Sequence, residues 1–193
     1  MSTAVQFWDD LAERYAARPI ADEAAYLHKL TEARRYLSAE MSVLEFGCGT
    51  GSTALALAPH VKHLLATDLS SKMIDIARAK AAAEGIRNVT FEAGTLETLE
   101  ADTVSFDAIL GHSILHLVGD RAATLHRVFA LLKPGGVFIS STPCLADSLG
   151  WLKWVLPVMR WVGKAPPNDV AFFRRSEFED ELAAAGFGLD YVW

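Results

Sequence analysis

From Val43 to Gly51 the chain reads Val-Leu-Glu-Phe-Gly-Cys-Gly-Thr-Gly, and Ser52 then opens a stretch of helical period. An apolar strand that runs directly into alternating glycines and then into a helix admits few folds. It opens a βαβ unit in which the amides of the turn and the helix N-terminus face a ligand. The rest of the sequence continues the alternation. Apolar runs of strand length lie at 42–46, 61–67, 88–93, 106–110 and 137–141, with a sixth at 187–192. Between them helix candidates occupy 51–58, 71–84 closed by Gly85, 121–132 closed by Lys133-Pro134-Gly135, and 176–185 closed by Gly186. Non-alternating strands joined by crossover helices predict an α/β fold, a doubly wound, mainly parallel sheet with helices on both faces. Ligands of such sheets sit beyond the carboxyl ends of the strands.

Two regions stand outside this alternation. At the N-terminus, helices are predicted over 5–17 and 21–38, separated by Pro19. Ala4, Trp8, Leu11 and Tyr15 share one face of the first, and Tyr26, Leu30, Ala33 and Leu37 share one face of the second. The other region is 143–175, where Trp151, Trp154, Val158 and Trp161 line a helical face that Pro157 should kink or split. A connection this long inside a compact domain is usually functional. Three readings stay open for it: a core layer over the sheet, a lid whose Trp151 and Trp154 contact a substrate, or a helix lying on a membrane surface. With 193 residues the chain has the length of one domain. That domain divides into a helical cap at 1–40, a ligand-binding core at 41–142, the insert at 143–175, and a last helix and strand at 176–193.

The charge balance narrows the ligand. Lys and Arg number 18 against 24 Asp and Glu, a net charge of −6, whereas nucleic-acid affinity rests on cations that neutralise phosphates. A small molecule fits better. Asp9, Asp10 and Glu13 fall where an export signal needs an uninterrupted apolar core. The most apolar stretch, 151–162, is broken by Lys153, Pro157 and Arg160 and is shorter than the ~20 residues that span a bilayer. Stable membrane insertion is not expected. The two cysteines, Cys48 and Cys144, supply neither a disulfide framework nor a metal cluster, so a reducing, cytoplasmic compartment and no metal are the expectation.

The glycine spacing separates two ligand classes. A diphosphate of a dinucleotide calls for G-x-G-x-x-G, and Gly47 and Gly49 satisfy the first two positions while Ser52 occupies the third. The spacing present is G-x-G-x-G, with Glu45 two residues ahead of it. A carboxylate there would repel two phosphates but suits a ligand bearing an ammonium and a sulfonium, which describes S-adenosylmethionine. Asp68, at the end of the second apolar run, is placed to accept both hydroxyl protons of a ribose. It also has a plainer reading as the N-cap of the next helix, a task open to Ser70 and Ser71 too. Leu69 and Met73 would then form an apolar wall for an adenine.

Four segments in order carry a family resemblance: VLEFGCGTG, ATDLSSKMIDIARAKA, FDAILGHSILHLV and LLKPGGVFISSTP. Over 42–143, about half of the chain, the sequence resembles the class I S-adenosylmethionine-dependent methyltransferases, nearest to their small-molecule, ubiquinone/menaquinone C-methyltransferase-like branch. The resemblance implies a Rossmann-like methyltransferase fold. It implies that Gly47, Cys48 and Gly49 approach the methionine part of the cofactor, Asp68 the ribose, and Gly94, Thr95 and Leu96 the adenine, with Gly111 at the rim. It also implies that the N-terminal helix, with Trp8 and Tyr15, closes over the site. Two features depart from the family pattern. Thr95 stands where the family commonly has an aspartate, and a hydroxyl accepts a weaker bond from the adenine amino group. The family's final antiparallel strand has no counterpart before Trp193, which leaves the edge of the fifth strand open, to be covered by chain missing from this sequence, by another element or by a second copy in a homodimer.

Methyl transfer needs alignment more than a strong catalytic group. If a proton has to leave the acceptor, His112, at the end of the fourth strand, is the candidate base, and it lines the substrate cavity together with His116. His116 also has a structural reading, binding backbone at the next helix. Cys48 reads as a small buried thiol. The expected function is methyl transfer from S-adenosylmethionine to a small, partly hydrophobic acceptor. The rivals are a nicotinamide-dependent oxidoreductase and a noncatalytic cofactor-binding or regulatory subunit.

Overall fold

A computed structural model describes residues 3–99, 106–161, 165 and 170–193, without the side chains of Thr3, Ser148, Lys153, Arg160 and Trp161. The place expected for the Trp161 ring on the helical face with Trp151, Trp154 and Val158 therefore lies outside the described residues. The five central strands are β1 (Ser42–Phe46), β2 (His63–Asp68), β3 (Val89–Ala93), β4 (Phe106–His112) and β5 (Leu132–Ser141). They lie in the order β3-β2-β1-β4-β5, and every pairing is parallel. The chain builds outward from β1 through β2 to β3, then returns to the other side of β1 with β4. The carboxyl ends of β1 and β4 therefore flank the switch point where such sheets leave a crevice.

Alternate residues of the buried strands feed two cores. On one face Val43, Leu64, Ala66, Ala108 and Leu110 pack with Leu30 and Ala33 of α2 (Glu23–Arg34), Ala54 and Leu57 of α3 (Ser52–Leu57) and Ile74 and Ala77 of α4 (Ser71–Glu84). On the other, Leu44, Phe46 and Ile109 pack with Leu125, Val128 and Leu131 of α5 (Arg121–Leu131) and with Phe178 and Leu182 of the last helix at 175–184. Each fully buried leucine or isoleucine contributes about 1.5–3 kcal/mol. The first helix, α1 (Thr3–Ala16), lies against α4.

Helix ends follow local chemistry closely. Asp22, Ser70 and Asp120 each accept a backbone N–H at the start of a helix, and Gly85 closes α4 in the left-handed conformation. Three expectations need correction. The Lys133-Pro134-Gly135 segment does not end α5 in a loop but lies inside β5, which begins at Leu132. Proline is tolerated there because β5 is an edge strand and the missing N–H breaks no inner ladder. Second, Pro157 does not split its helix. After the short α6 (Leu145–Ser148), α7 runs unbroken over Leu152–Trp161 with Pro157 on its exposed side.

The third correction concerns 187–192, which form no strand. The tail lies instead along α2: Tyr36 Oη donates to Asp190 Oδ2 at 2.6 Å, His28 Nε2 stands 3.1 Å from Tyr191 Oη, and the Trp193 ring centroid is 4.4 Å from that of His28. Among the described residues no strand pairs with the outer edge of β5. The last helix, α8 (Arg175–Ala184), precedes that tail. The Arg174-Arg175 pair is exposed.

Candidate cofactor and acceptor site

The turn between β1 and α3 is shaped by glycine where nothing else fits. Gly51 caps α3 at φ +77°, and a Cβ there would stand 2.8 Å from both Ala77 Cβ and a carbon of the Phe91 ring. A Cβ on Gly47, at φ +64°, would stand 2.6 Å from Ile114 Cγ1. The turn thus packs against α4 and β3 on one side and against the segment after β4 on the other. Cys48 is buried between them. Its thiol is pushed upward by burial and then by Glu45 and Asp68, which keeps it protonated and inert.

Asp68 reaches across from the end of β2 and ties the turn down. Its Oδ2 accepts from Gly49 N at 2.9 Å, and its Oδ1 accepts from Ser70 N at 2.9 Å. The N-cap of α4 is Ser70, whose hydroxyl accepts from Met73 N. The plainer reading of Asp68 as helix cap is thereby removed. Its carboxyl is held above the usual range, by burial first, with the two amide bonds opposing that and nearby Asp9 adding to it.

Glu45 is buried at the end of β1, and its Oε2 has no hydrogen-bond partner in the protein. Burial raises this carboxyl to about 8, the Lys29 ammonium draws it down, Asp68 pushes it up, and the Ala54 amide draws it down again. Lys29, on α2, is itself lowered by burial and pulled back by Glu45, and its ammonium lies 4.8 Å from the Tyr26 ring centroid. A deeply buried carboxyl with an orphan oxygen beside a turn of amides is a place prepared for a cationic group.

α1 covers this turn from above. A Cβ on Gly49 would stand 3.7 Å from Tyr15 Cε1, so the half-exposed Tyr15 ring rests over the turn. Burial raises the Tyr15 hydroxyl, and Asp68 and then Glu45 add to that. Trp8 is partly buried and meets Phe7 edge to face at 5.2 Å. Asp9 fastens the helix, because its Oδ1 accepts from Ser70 Oγ at 2.6 Å and from Lys72 N at 3.3 Å. Lys80, from the far end of α4, donates to Thr50 O at 3.2 Å and Thr50 Oγ1 at 3.0 Å behind the turn.

Some expected contacts are placed otherwise. Met73 is fully buried and Leu96 belongs to the second core, so their side chains do not form an open adenine wall; Leu69 alone is partly exposed. Thr95 is exposed, and Thr98 Oγ1 bridges its N–H and carbonyl. Gly94 N donates to Asp68 O at 2.9 Å, which joins the end of β3 to that of β2. Gly111 owes its small size to packing, since a Cβ there would meet the Phe46 ring at 2.7 Å.

At the ends of β4 and β5 the polar groups are buried and unsatisfied. His112 Nδ1 lies 3.2 Å from Ser141 Oγ while its Nε2 has no protein partner. Burial, reinforced by Lys29, holds the imidazole down to about 3. So acidic a conjugate acid makes the neutral ring a weak proton acceptor, and the geometry suits hydrogen bonding better than general-base work. Ser113, the next residue, is held at φ +54°. The His116 ring also leaves Nδ1 buried without a partner, so it is the backbone of His116, not its ring, that ties the chain together: its carbonyl accepts from Ala171 N at 2.8 Å where the insert returns. Trp151 and Trp154 are 61% and 77% exposed, so these two rings take no part in a core layer, whereas Phe173, toward the end of the insert, is buried in the second core. Among the described residues no group of three or more His, Cys, Asp or Glu side chains forms a metal site, and no helix is long and apolar enough to cross a membrane.

Asp9, Lys29 and Lys80 were not legible as site residues in the sequence, where Asp9 and Lys29 sit on helices without a motif. Only a fold that brings α1 and α2 over the turn reveals them.

The chain is similar in sequence and fold to known proteins. A sequence family described as a methyltransferase domain matches residues 43–136. The chain is 34% identical over 175 residues to the ubiquinone biosynthesis O-methyltransferase of Xylella fastidiosa, covering 86% of this chain and 71% of that protein. It is 36% identical over 101 residues to the uncharacterized methyltransferase YcgJ of Bacillus subtilis, covering 52% of this chain and 40% of that one. The crystal structure of YcgJ superimposes with a TM-score of 0.70 at 28% identity, over 82% of this chain and 68% of that chain. Against the Bacillus protein and a Coxiella burnetii ubiquinone O-methyltransferase, the chain spans about half or less of the relative's length, 40% and 52%.

Proposed function

Because the chain belongs to the class I S-adenosylmethionine-dependent methyltransferases, we propose that it transfers a methyl group from S-adenosylmethionine to a small, partly hydrophobic acceptor. One observation carries this reading: the orphan oxygen of buried Glu45 beside a glycine turn, where a cationic group would find its partner and draw the carboxyl into its ionised form. The residues fit the cofactor. Glu45 would hold its ammonium, Gly47 and Gly49 would admit its methionine part, Asp68 would take the ribose hydroxyls, and Tyr15 would close over it.

When bound, the cofactor supplies a methyl carbon activated by a positive sulfur, so the protein has only to align and to exclude water. α1 and the turn shield one side of the crevice. On the other, His112 Nε2 offers a hydrogen bond to the acceptor's polar atom, while Ser141 fixes the ring through Nδ1. The insert, anchored at His116, with Trp151 and Trp154 on its outer surface, supplies the apolar wall when it folds down over the acceptor. That the Xylella relative is an O-methyltransferase supports a hydroxyl acceptor among the candidates.

The test is turnover with methyl-labelled cofactor against quinols, phenols, amines and thiols. Label appearing in one class, and lost in Asp68→Ala, is the expected result. Labelled cofactor bound but never consumed across the whole panel would leave a binding subunit and overturn the enzymatic reading.

A further inference from the structure

Asp9 joins the cap helix to the site through one hydroxyl. Ser70 Oγ carries a single proton and donates it to Asp9 Oδ1 at 2.6 Å, while its lone pair accepts Met73 N at 3.2 Å. Ser70 N at the same time donates to Asp68 Oδ1. Ser70 is completely buried, so no solvent competes for its hydroxyl. A carboxylate oxygen has two acceptor positions. Each Asp68 oxygen spends one on a backbone amide, Gly49 on one side and Ser70 on the other, and keeps one. Two free acceptor positions, one on each oxygen, match the two adjacent hydroxyls of a ribose.

From this we infer that Asp9 is a positioning residue for the cofactor: by taking the Ser70 proton it keeps that hydroxyl from turning onto Asp68, and it holds α1 with Tyr15 over the turn. This rests on the reading of Asp68 as the ribose carboxylate. Without Asp9 the Ser70 hydroxyl is free to turn toward Asp68 Oδ1, which already accepts from the amide of the same residue, and there it would occupy the position a ribose hydroxyl needs. The effect reaches the ligand through Ser70, with no contact between Asp9 and the nucleoside required.

The test is calorimetry on the full chain with S-adenosylhomocysteine and with its 2′-deoxy counterpart. Asp9→Ala is expected to weaken S-adenosylhomocysteine about tenfold and the deoxy compound only about twofold, because the deoxy ligand asks less of Asp68. Asp9→Asn keeps an acceptor oxygen at the same place and recovers most of the loss. In a Ser70→Ala background, where no hydroxyl remains to turn, Asp9→Ala loses its selective effect. An equal loss for both ligands in Asp9→Ala, or no loss at all, overturns the inference, as does failure of Asp9→Asn to recover affinity. Wild-type protein that binds neither ligand would instead overturn the ribose assignment itself, so the two failures are distinguishable.

Discussion

The two sides of the crevice are built on different principles. At the ends of β1 and β2 the backbone of the turn has fixed partners, Gly49 N and Ser70 N on Asp68, with Lys80 on Thr50 and Ser70 on Asp9, and the buried atoms left without one are the side-chain oxygens Glu45 Oε2, beside the turn, and Thr67 Oγ1. At the ends of β4 and β5 the buried atoms His112 Nε2, His116 Nδ1 and Thr142 Oγ1 have none, and large apolar side chains of the insert face outward. The first side is a rigid backbone cradle. The second is a set of unpartnered hydrogen-bonding groups beside exposed apolar side chains of the insert. A cofactor shared by a whole family calls for the former, and an acceptor particular to one protein calls for the latter.

The contrast makes graded predictions. The largest effect belongs to the cradle's packing: Gly51→Ala forces a side chain into the left-handed region and against Ala77 and Phe91, which should cost about 2–4 kcal/mol of stability in denaturant unfolding. A change within 0.5 kcal/mol would show that the turn yields. Next, Asp68→Ala should weaken S-adenosylhomocysteine by about 1.5–3 kcal/mol by calorimetry, the scale of a charge-assisted bond lost from a buried site. Unchanged affinity would contradict the ribose role.

Glu45 sharpens the comparison by pH. Its carboxyl titrates near 8 in the fold and near 4.5 in a free chain. Between those values the folded state holds the extra proton, so this group's contribution to stability falls as pH rises through that window and levels off above about 8. Glu45→Gln should therefore stabilise the ligand-free protein increasingly across that range. The same variant should bind S-adenosylhomocysteine more weakly, and should lose the rise in affinity that ionisation of Glu45 gives between pH 6 and 8. Melting temperatures and titrations across that range check both. The smallest effect belongs to the insert: Trp151→Ala and Trp154→Ala should shift stability by no more than about 0.5 kcal/mol, as exposed positions do, while altering the Michaelis constant for the acceptor. A large loss of stability from either would assign the insert to the core.

How legible each side was follows from the same difference. β1 and α4 match their expected bounds residue for residue, because an apolar run, a serine cap and a left-handed glycine are local signals. Asp68 and the glycine turn were legible for the same reason. What was not legible depends on contacts between distant segments. Nothing near Asp9 announces Ser70, sixty-one residues away. The 187–192 run has strand composition, yet its side chains pair with His28 and Tyr36 of the α2 region in place of a strand. Leu132 to Gly135 carries stop signals for a helix that turn out to serve an edge strand, and Met73 has the character of an adenine wall but is consumed by the interior. The place of His112 at the end of β4 was legible, but the burial that lowers its basicity only the folded surroundings reveal.

Everything turns on whether the turn after β1 receives a nucleoside with a cationic amino-acid tail. Isothermal calorimetry of folded protein with S-adenosylhomocysteine and, separately, with NADH decides it. Saturable heat at one site is expected for the first ligand and none for the second; binding of NADH with no heat from S-adenosylhomocysteine would overturn the assignment.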